Sequence, residues 1–306
     1  MRRPSFRPLV ILAVVAAGFA GLAVGVAATV ELRAPSQLYA RFSYHVRTTL
    51  GLEKNWAWIP GTEQAKGRTE RACPAPKDAL VLVIGGQSNA ANNISTAYEA
   101  GPDVSVWFNG RCYPAADPLL GTSGKDGSIW SVLGDQVAQE LDRPVLLVVV
   151  PVAGSQFSDW MDPRSGYYES LWSRVSSARD AGYVPDMTLW HHGETDAAAN
   201  RDMANVKKTA GELLDRLTTD MPDTPIYLFQ ATRCTGAYRE NGVPEVIKVL
   251  REVADARPNV ITGMNTDVLE REHRWDKCHF NSKGRDAIVA QVLPEVVARL
   301  RPKPRA

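Results

Sequence analysis

Four short segments hold the residue types that ester chemistry needs. Gly85-Gly86-Gln87-Ser88-Asn89 follows the apolar run Leu80–Ile84. A serine on a glycine turn at a helix start combines a hydroxyl nucleophile with a backbone N–H able to face an oxyanion. The same pattern also serves as an ordinary helix cap. Asp276-Lys277-Cys278-His279 runs through Phe280-Asn281-Ser282-Lys283-Gly284 into the last helical stretch. An Asp there can accept the imidazole Nδ1–H and leave Nε2 free to take a serine proton. Read alone, D-x-x-H is more often a surface loop, with Asn281 or Ser282 capping the next helix. Trp190-His191-His192-Gly193-Glu194-Thr195-Asp196 and Val152-Ala153-Gly154-Ser155 each follow further apolar runs. A glycine at such a strand end can offer its N–H to an oxyanion, or simply turn the chain.

The remaining histidines carry less. His45 reads as structural. His273 lies close to Asp276, but its spacing fits a base less well than that of His279. His191 and His192, with Glu194 and Asp196, raise a metal reading. Adjacent side chains of an extended segment point to opposite sides, so no metal site is expected. Trp130 and Trp160 read as core residues in preference to sugar platforms.

Positioning these segments takes alternating elements. The apolar runs Leu80–Ile84, Val104–Phe108, Val145–Val150, Met187–Trp190, Ile226–Gln230 and Val260–Gly263 read as buried strands. Between and after them lie helix patterns at Trp130–Leu141, Tyr167–Ala181, Ala197–Thr219, Pro244–Ala256 and Ser282–Leu300. Short apolar strands alternating with helices predict an α/β fold, a doubly wound parallel sheet covered on both faces. Sites in that class form at the carboxyl ends of the strands, where all four segments fall. There are no internal repeats and no low-complexity tract.

The N-terminus has a different character. Leu9 to Val30 is an uncharged stretch of 22 residues behind Arg2, Arg3 and Arg7. At about 1.5 Å per residue it can cross a hydrocarbon core of roughly 30 Å. An uncleaved signal anchor is expected, with residues 1–8 cytoplasmic, 9–30 transmembrane, and the rest periplasmic or extracellular. The alternative is secretion after cleavage near Val26-Ala27-Ala28. Residues 31–76 read as a juxtamembrane segment that either lies at the membrane or packs on the domain, and residues 77–302 as the catalytic domain. The chain carries 35 Lys+Arg against 34 Asp+Glu, a net +1. Removing the three N-terminal arginines leaves residues 9–306 at −2, too little positive charge for a nucleic-acid partner. Of the four cysteines, Cys73, Cys112, Cys234 and Cys278, a Cys234–Cys278 disulfide is expected if the compartment is oxidising. Both should lie in loops at one end of the sheet.

Taken together, the four segments resemble the SGNH hydrolase superfamily, and within it the sialate O-acetylesterase-like, carbohydrate esterase family six branch. Gly86–Asn89 matches its Gly-Gln-Ser-Asn block and Gly154 its glycine block. Trp190, Gly193, Glu194 and Asp196 match Trp-x-Gln-Gly-Glu-x-Asp; Asp276, His279 and Phe280 match Asp-x-x-His-Phe, with Gly284 downstream. The resemblance covers roughly residues 78–300. It implies a flavodoxin-like three-layer sandwich and a cofactor-free, metal-free carbohydrate acetylesterase acting on an acylated carbohydrate. Ser88, Asp276 and His279 would be the triad. Ser88, Gly154 and His192 would form the oxyanion hole, with Gln87, Asn89 and Glu194 supporting the site. His192 stands where the family has glutamine. A neutral histidine donates one hydrogen bond if its tautomer is right, so this donor is in question. O-acyl transfer to a periplasmic or cell-surface glycan uses the same triad and is the alternative activity. An inactive glycan-binding protein is the alternative outside catalysis.

Overall fold

A computed structural model describes residues 59–199, 202–234 and 242–301. Seven strands form one sheet: β1 (Leu80–Gly86), β2 (Val104–Phe108), β3 (Arg111–Pro114), β4 (Val145–Val149), β5 (Met187–His192), β6 (Ile226–Gln230) and β7 (Val260–Asn265). Every residue of β1, β2, β4, β5 and β6 is buried, as continuous apolar strands covered on both faces must be.

The order across the sheet is β3-β2-β4-β1-β5-β6-β7. All pairings are parallel except β2–β3. The β2–β3 hairpin sits on the edge of a doubly wound core ordered β4-β1-β5-β6-β7. In that order the chain reverses its winding direction between β1 and β5. The crevice beyond the carboxyl ends of those two strands is the topological switch point, where ligand sites of such sheets form.

The helices are α1 (Trp130–Leu141), α2 (Phe157–Met161), α3 (Tyr167–Asp180), α4 (Glu194–Ala199), α5 (Met203–Asp220), α6 (Pro244–Asp255) and α7 (Ser282–Leu300). α1 and α7 pack together, and α2 packs on α3 and α5 while α5 packs on α6. The main core cluster lies under α1 and α7, joining Leu80, Leu82 and Ile84 of β1 to Leu133, Ile288 and Val292.

Two differences from the sequence reading have local causes. The edge strand β3 was not expected: only its central residues are buried, so it lacks an apolar run. The helix expected over 197–219 is two helices. Asp202 caps the second, its Oδ1 accepting from the N–H groups of Ala204 at 3.0 Å and Asn205 at 3.2 Å. Residues 59–76, the described end of the juxtamembrane segment, take the second of its two expected arrangements and pack on the sheet domain. The Gln64 side chain donates to Thr122 O at 2.7 Å, Arg71 bridges to Cys112, and Cys73 forms a disulfide with Cys112. Trp130 and Trp160, each 1% exposed, are core residues. No helix among the described residues is long and apolar enough to cross a membrane. The expected span Leu9–Val30, most of the segment after it including His45, and the tail beyond Arg301 lie outside the described residues.

Candidate active site

Ser88 opens a short 3-10 turn, Ser88–Ala90, at the end of β1. The strand must approach β5 closely to deliver it there. Gly86 has φ 125, and a Cβ on it would stand 2.0 Å from His191 O, so only glycine fits. Beyond it, Gln87 N donates to His191 O at 3.1 Å, and the Gln87 side-chain oxygen accepts from Thr195 N at 3.1 Å. Gln87 thus fastens the Ser88 turn to the end of β5 and to the first turn of α4. Ser88 itself is half-buried.

Asn89 makes the decisive links. Fully buried, it donates from Nδ2 to Glu194 Oε1 at 2.8 Å and to Cys278 O at 3.3 Å, and its Oδ1 accepts from Phe280 N at 3.3 Å. Cys278 and Phe280 flank His279. One side chain therefore holds the loop of His279 against the residue that follows Ser88.

Within that loop, His279 Nδ1 lies 2.7 Å from Asp276 Oδ2. Asp276 Oδ1 accepts from the backbone N–H groups of Cys278 at 2.9 Å and His279 at 2.7 Å. Burial pushes the Asp276 carboxyl up, but the imidazole and these two N–H groups outweigh it and hold it below the usual value of 3.8. An ionised Asp276 accepts from Nδ1–H and so leaves Nε2 as an acceptor. Lys277 bridges the turn with φ 71. Cys278 is joined to Cys234, the pairing expected from sequence. His273 is not paired with Asp276; its Nδ1 lies 3.5 Å from Glu272.

Buried Arg274 stitches the loop from below, a part that sequence reasoning missed. Its guanidinium donates to the carbonyls of Leu269 and Thr266, each at 3.1 Å, and to Cys278 O. It lies 4.2 Å over the Phe280 ring. Burial lowers its pKa to about 10, which leaves it charged at neutral pH.

Gly154 lies just past β4, exposed and at φ 74, a left-handed conformation suited to glycine. The backbone N–H groups of Ser88 and Gly154 make no hydrogen bond among the described residues. These are the two donors expected for the oxyanion.

His191 and His192 lie on opposite faces of β5. His191 sits against Phe229 and Phe280, with Nε2 3.1 Å from Thr266 Oγ1 and Nδ1 3.6 Å from Glu194. His192 departs from the oxyanion role expected of it. Its ring stacks on Phe157 at 4.2 Å, with both nitrogens buried and Nε2 3.3 Å from Asp196 Oδ2. Neither ring nitrogen has surface open to the site in this arrangement. Asp196 in turn accepts from Phe157 N, the first residue of α2, at 3.2 Å. The pair thus braces the helix that follows the Gly154 loop.

No curated protein matches the chain. Among solved structures, a protein from Arabidopsis thaliana is similar at a TM-score of 0.60 and 17% identity, over 73% of this chain and 99% of that one. A putative GDSL-like lipase from Parabacteroides merdae is similar at 0.50 and 13%, over 72% and 96%. A carbohydrate acetylesterase from Xanthomonas citri is similar at 0.50 and 14%, over 72% and 55%. At these identities the likeness is one of fold. The family model described as "carbohydrate esterase, sialic acid-specific acetylesterase" matches residues 79–296, most of the chain and all four segments. The chain therefore belongs to the carbohydrate esterase, sialic acid-specific acetylesterase family.

Proposed function

We propose that this chain removes acetyl or other short acyl groups from a carbohydrate through an acyl-serine intermediate. The observation that carries the reading is the 2.7 Å Asp276–His279 pair, held beside the Ser88 turn by Asn89. Ser88 Oγ attacks the ester carbonyl while His279 Nε2 takes its proton. The N–H groups of Ser88 and Gly154 receive the oxyanion, each donor contributing on the order of 100-fold in turnover. Collapse expels the sugar alkoxide as His279 returns the proton to it. Water, deprotonated by His279, then releases the acid and restores the serine. Gln87, Asn89, Glu194 and Arg274 act by holding the two reacting loops in register. Intact Ser88, Asp276 and His279 favour this over an inactive binding protein.

The domain is further proposed to work outside the cytoplasm, tethered by Leu9–Val30. The Cys73–Cys112 and Cys234–Cys278 disulfides support an oxidising compartment.

The test compares the chain with Ser88→Ala on p-nitrophenyl acetate and on an acetylated sugar, with and without an acceptor sugar. Serine-dependent acetate release is expected. Equal release from both proteins overturns the reading, and acetate moving to the acceptor in place of water makes the activity transfer.

A further inference from the structure

Trp275 is the only aromatic among the large apolar side chains left exposed in the described residues, at 53%. Its place is not an arbitrary surface site. It precedes Asp276, its backbone N–H donates to His279 O at 3.0 Å, and its ring lies 27° from the His279 ring plane at a centroid distance of 6.2 Å. On its other side the indole Nε1–H donates to Asn93 O at 3.1 Å, and Asn93 Nδ2 donates to Ser88 O at 2.9 Å. The ring is thus pinned both to the loop of His279 and to the turn of Ser88.

That anchoring decides what the ring can offer. Its one polar group is already satisfied inside the protein, so what it presents outward is apolar π surface. An anchored, half-exposed indole has few rotamers left to lose on binding. Exposed apolar surface of this size beside reacting groups marks a place where a ligand completes the burial. A pyranose has one face built of C–H groups carrying slight positive charge, which complements the negative face of an indole. A simple alkyl ester has no such face.

We infer that Trp275 is the platform on which the sugar ring of the substrate stacks, so that this residue sets the preference for saccharide esters over alkyl esters. The inference rests on the esterase reading above. Loss of the stack is expected to cost roughly tenfold in kcat/KM, equivalent to about 1.4 kcal/mol.

The test measures kcat/KM of the full-length chain, Trp275→Ala and Trp275→Phe on three probes: ethyl acetate, methyl O-acetyl-glucopyranoside and O-acetylated sialic acid. The wild type should favour at least one sugar ester. Trp275→Ala should lower the ratio of that ester to ethyl acetate about tenfold, chiefly through KM, and Trp275→Phe should restore most of it. An unchanged ratio overturns the platform. So does an equal loss on all three esters, which would make Trp275 only a support for His279. A wild type with no preference for either sugar ester also overturns it, yet leaves the esterase reading standing. Ester release that Ser88→Ala does not reduce sinks the esterase reading itself. Thermal melts of the variants confirm folding, and if Ala does not fold, Trp275→Leu, apolar but without a π face, decides the question by the same loss of ratio.

Discussion

Asn89 and Glu194 lie 105 positions apart in sequence and meet through a 2.8 Å hydrogen bond, both side chains almost wholly buried. The bond crosses the gap between the ends of β1 and β5, where the winding of the sheet reverses. Asn89 spends its remaining capacity on the backbone at either side of His279. The residue beside the nucleophile therefore sets where the base stands.

Replacing Asn89 by alanine removes that tie and takes the donor from a buried carboxylate. Each buried polar group left unsatisfied costs about 1–3 kcal/mol. Asn89→Ala is expected to melt several degrees lower and to lose ester turnover while Ser88, Asp276 and His279 remain. A melt and a turnover both equal to wild type would show that the loops are held by other contacts.

Asp276→Asn should keep the fold, because its side-chain oxygen can still accept from the N–H groups of Cys278 and His279. Its amide would face Nδ1 and force the proton onto Nε2, the wrong tautomer for a base. Turnover should fall by at least about a hundredfold near neutral pH with an unchanged circular dichroism spectrum. A rate close to wild type would remove Asp276 from the catalytic group.

His192→Gln restores the residue of the family pattern. The histidine is sealed against Phe157, so the change should cost about 1 kcal/mol of stability through the lost ring contact. Turnover should stay of the same order. A rise or fall of about a hundredfold, the size of an oxyanion donor, would show that residue 192 reaches the substrate after all.

The pH dependence of stability should carry the mark of His191. Burial pushes its pKa below the usual 6.5, with Glu194 partly opposing. As pH falls below 6.5 the unfolded chain takes up a proton that the folded protein resists, so stability falls with acidification. Asp117 works in the other direction. Burial raises it to about 6, so its contribution is full below 3.8 and is lost as pH rises through about 6. Urea midpoints from pH 7.5 to 5 for wild type and His191→Gln separate the two. The variant should lose part of the acid-side decline, and parallel curves would count against a buried neutral His191.

The sequence by itself determined the elements and the chemistry they carry. Val104–Phe108, Ile226–Gln230, Trp130–Leu141 and Ser282–Leu300 form as their apolar patterns predict, because continuous burial and helical periodicity are local signals. Three of the four chemistry-bearing segments follow β1, β4 and β5 for the same reason, while Asp276–His279 lies in the loop between β7 and α7. Only the tertiary structure decided what those segments do to one another. Strand order brings β1 beside β5 and so joins Asn89 to Glu194, a contact with no local signature. Pleating shows that His191 and His192 part to opposite faces, but only the helices packed there seal His192 against Phe157 and give His191 to Thr266. Arg274 looks like any surface arginine until the loop closes over it, and Trp275 like any core tryptophan until the same loop leaves its face uncovered. Exposure and long-range pairing are properties of the packed chain, so no window of sequence contains them.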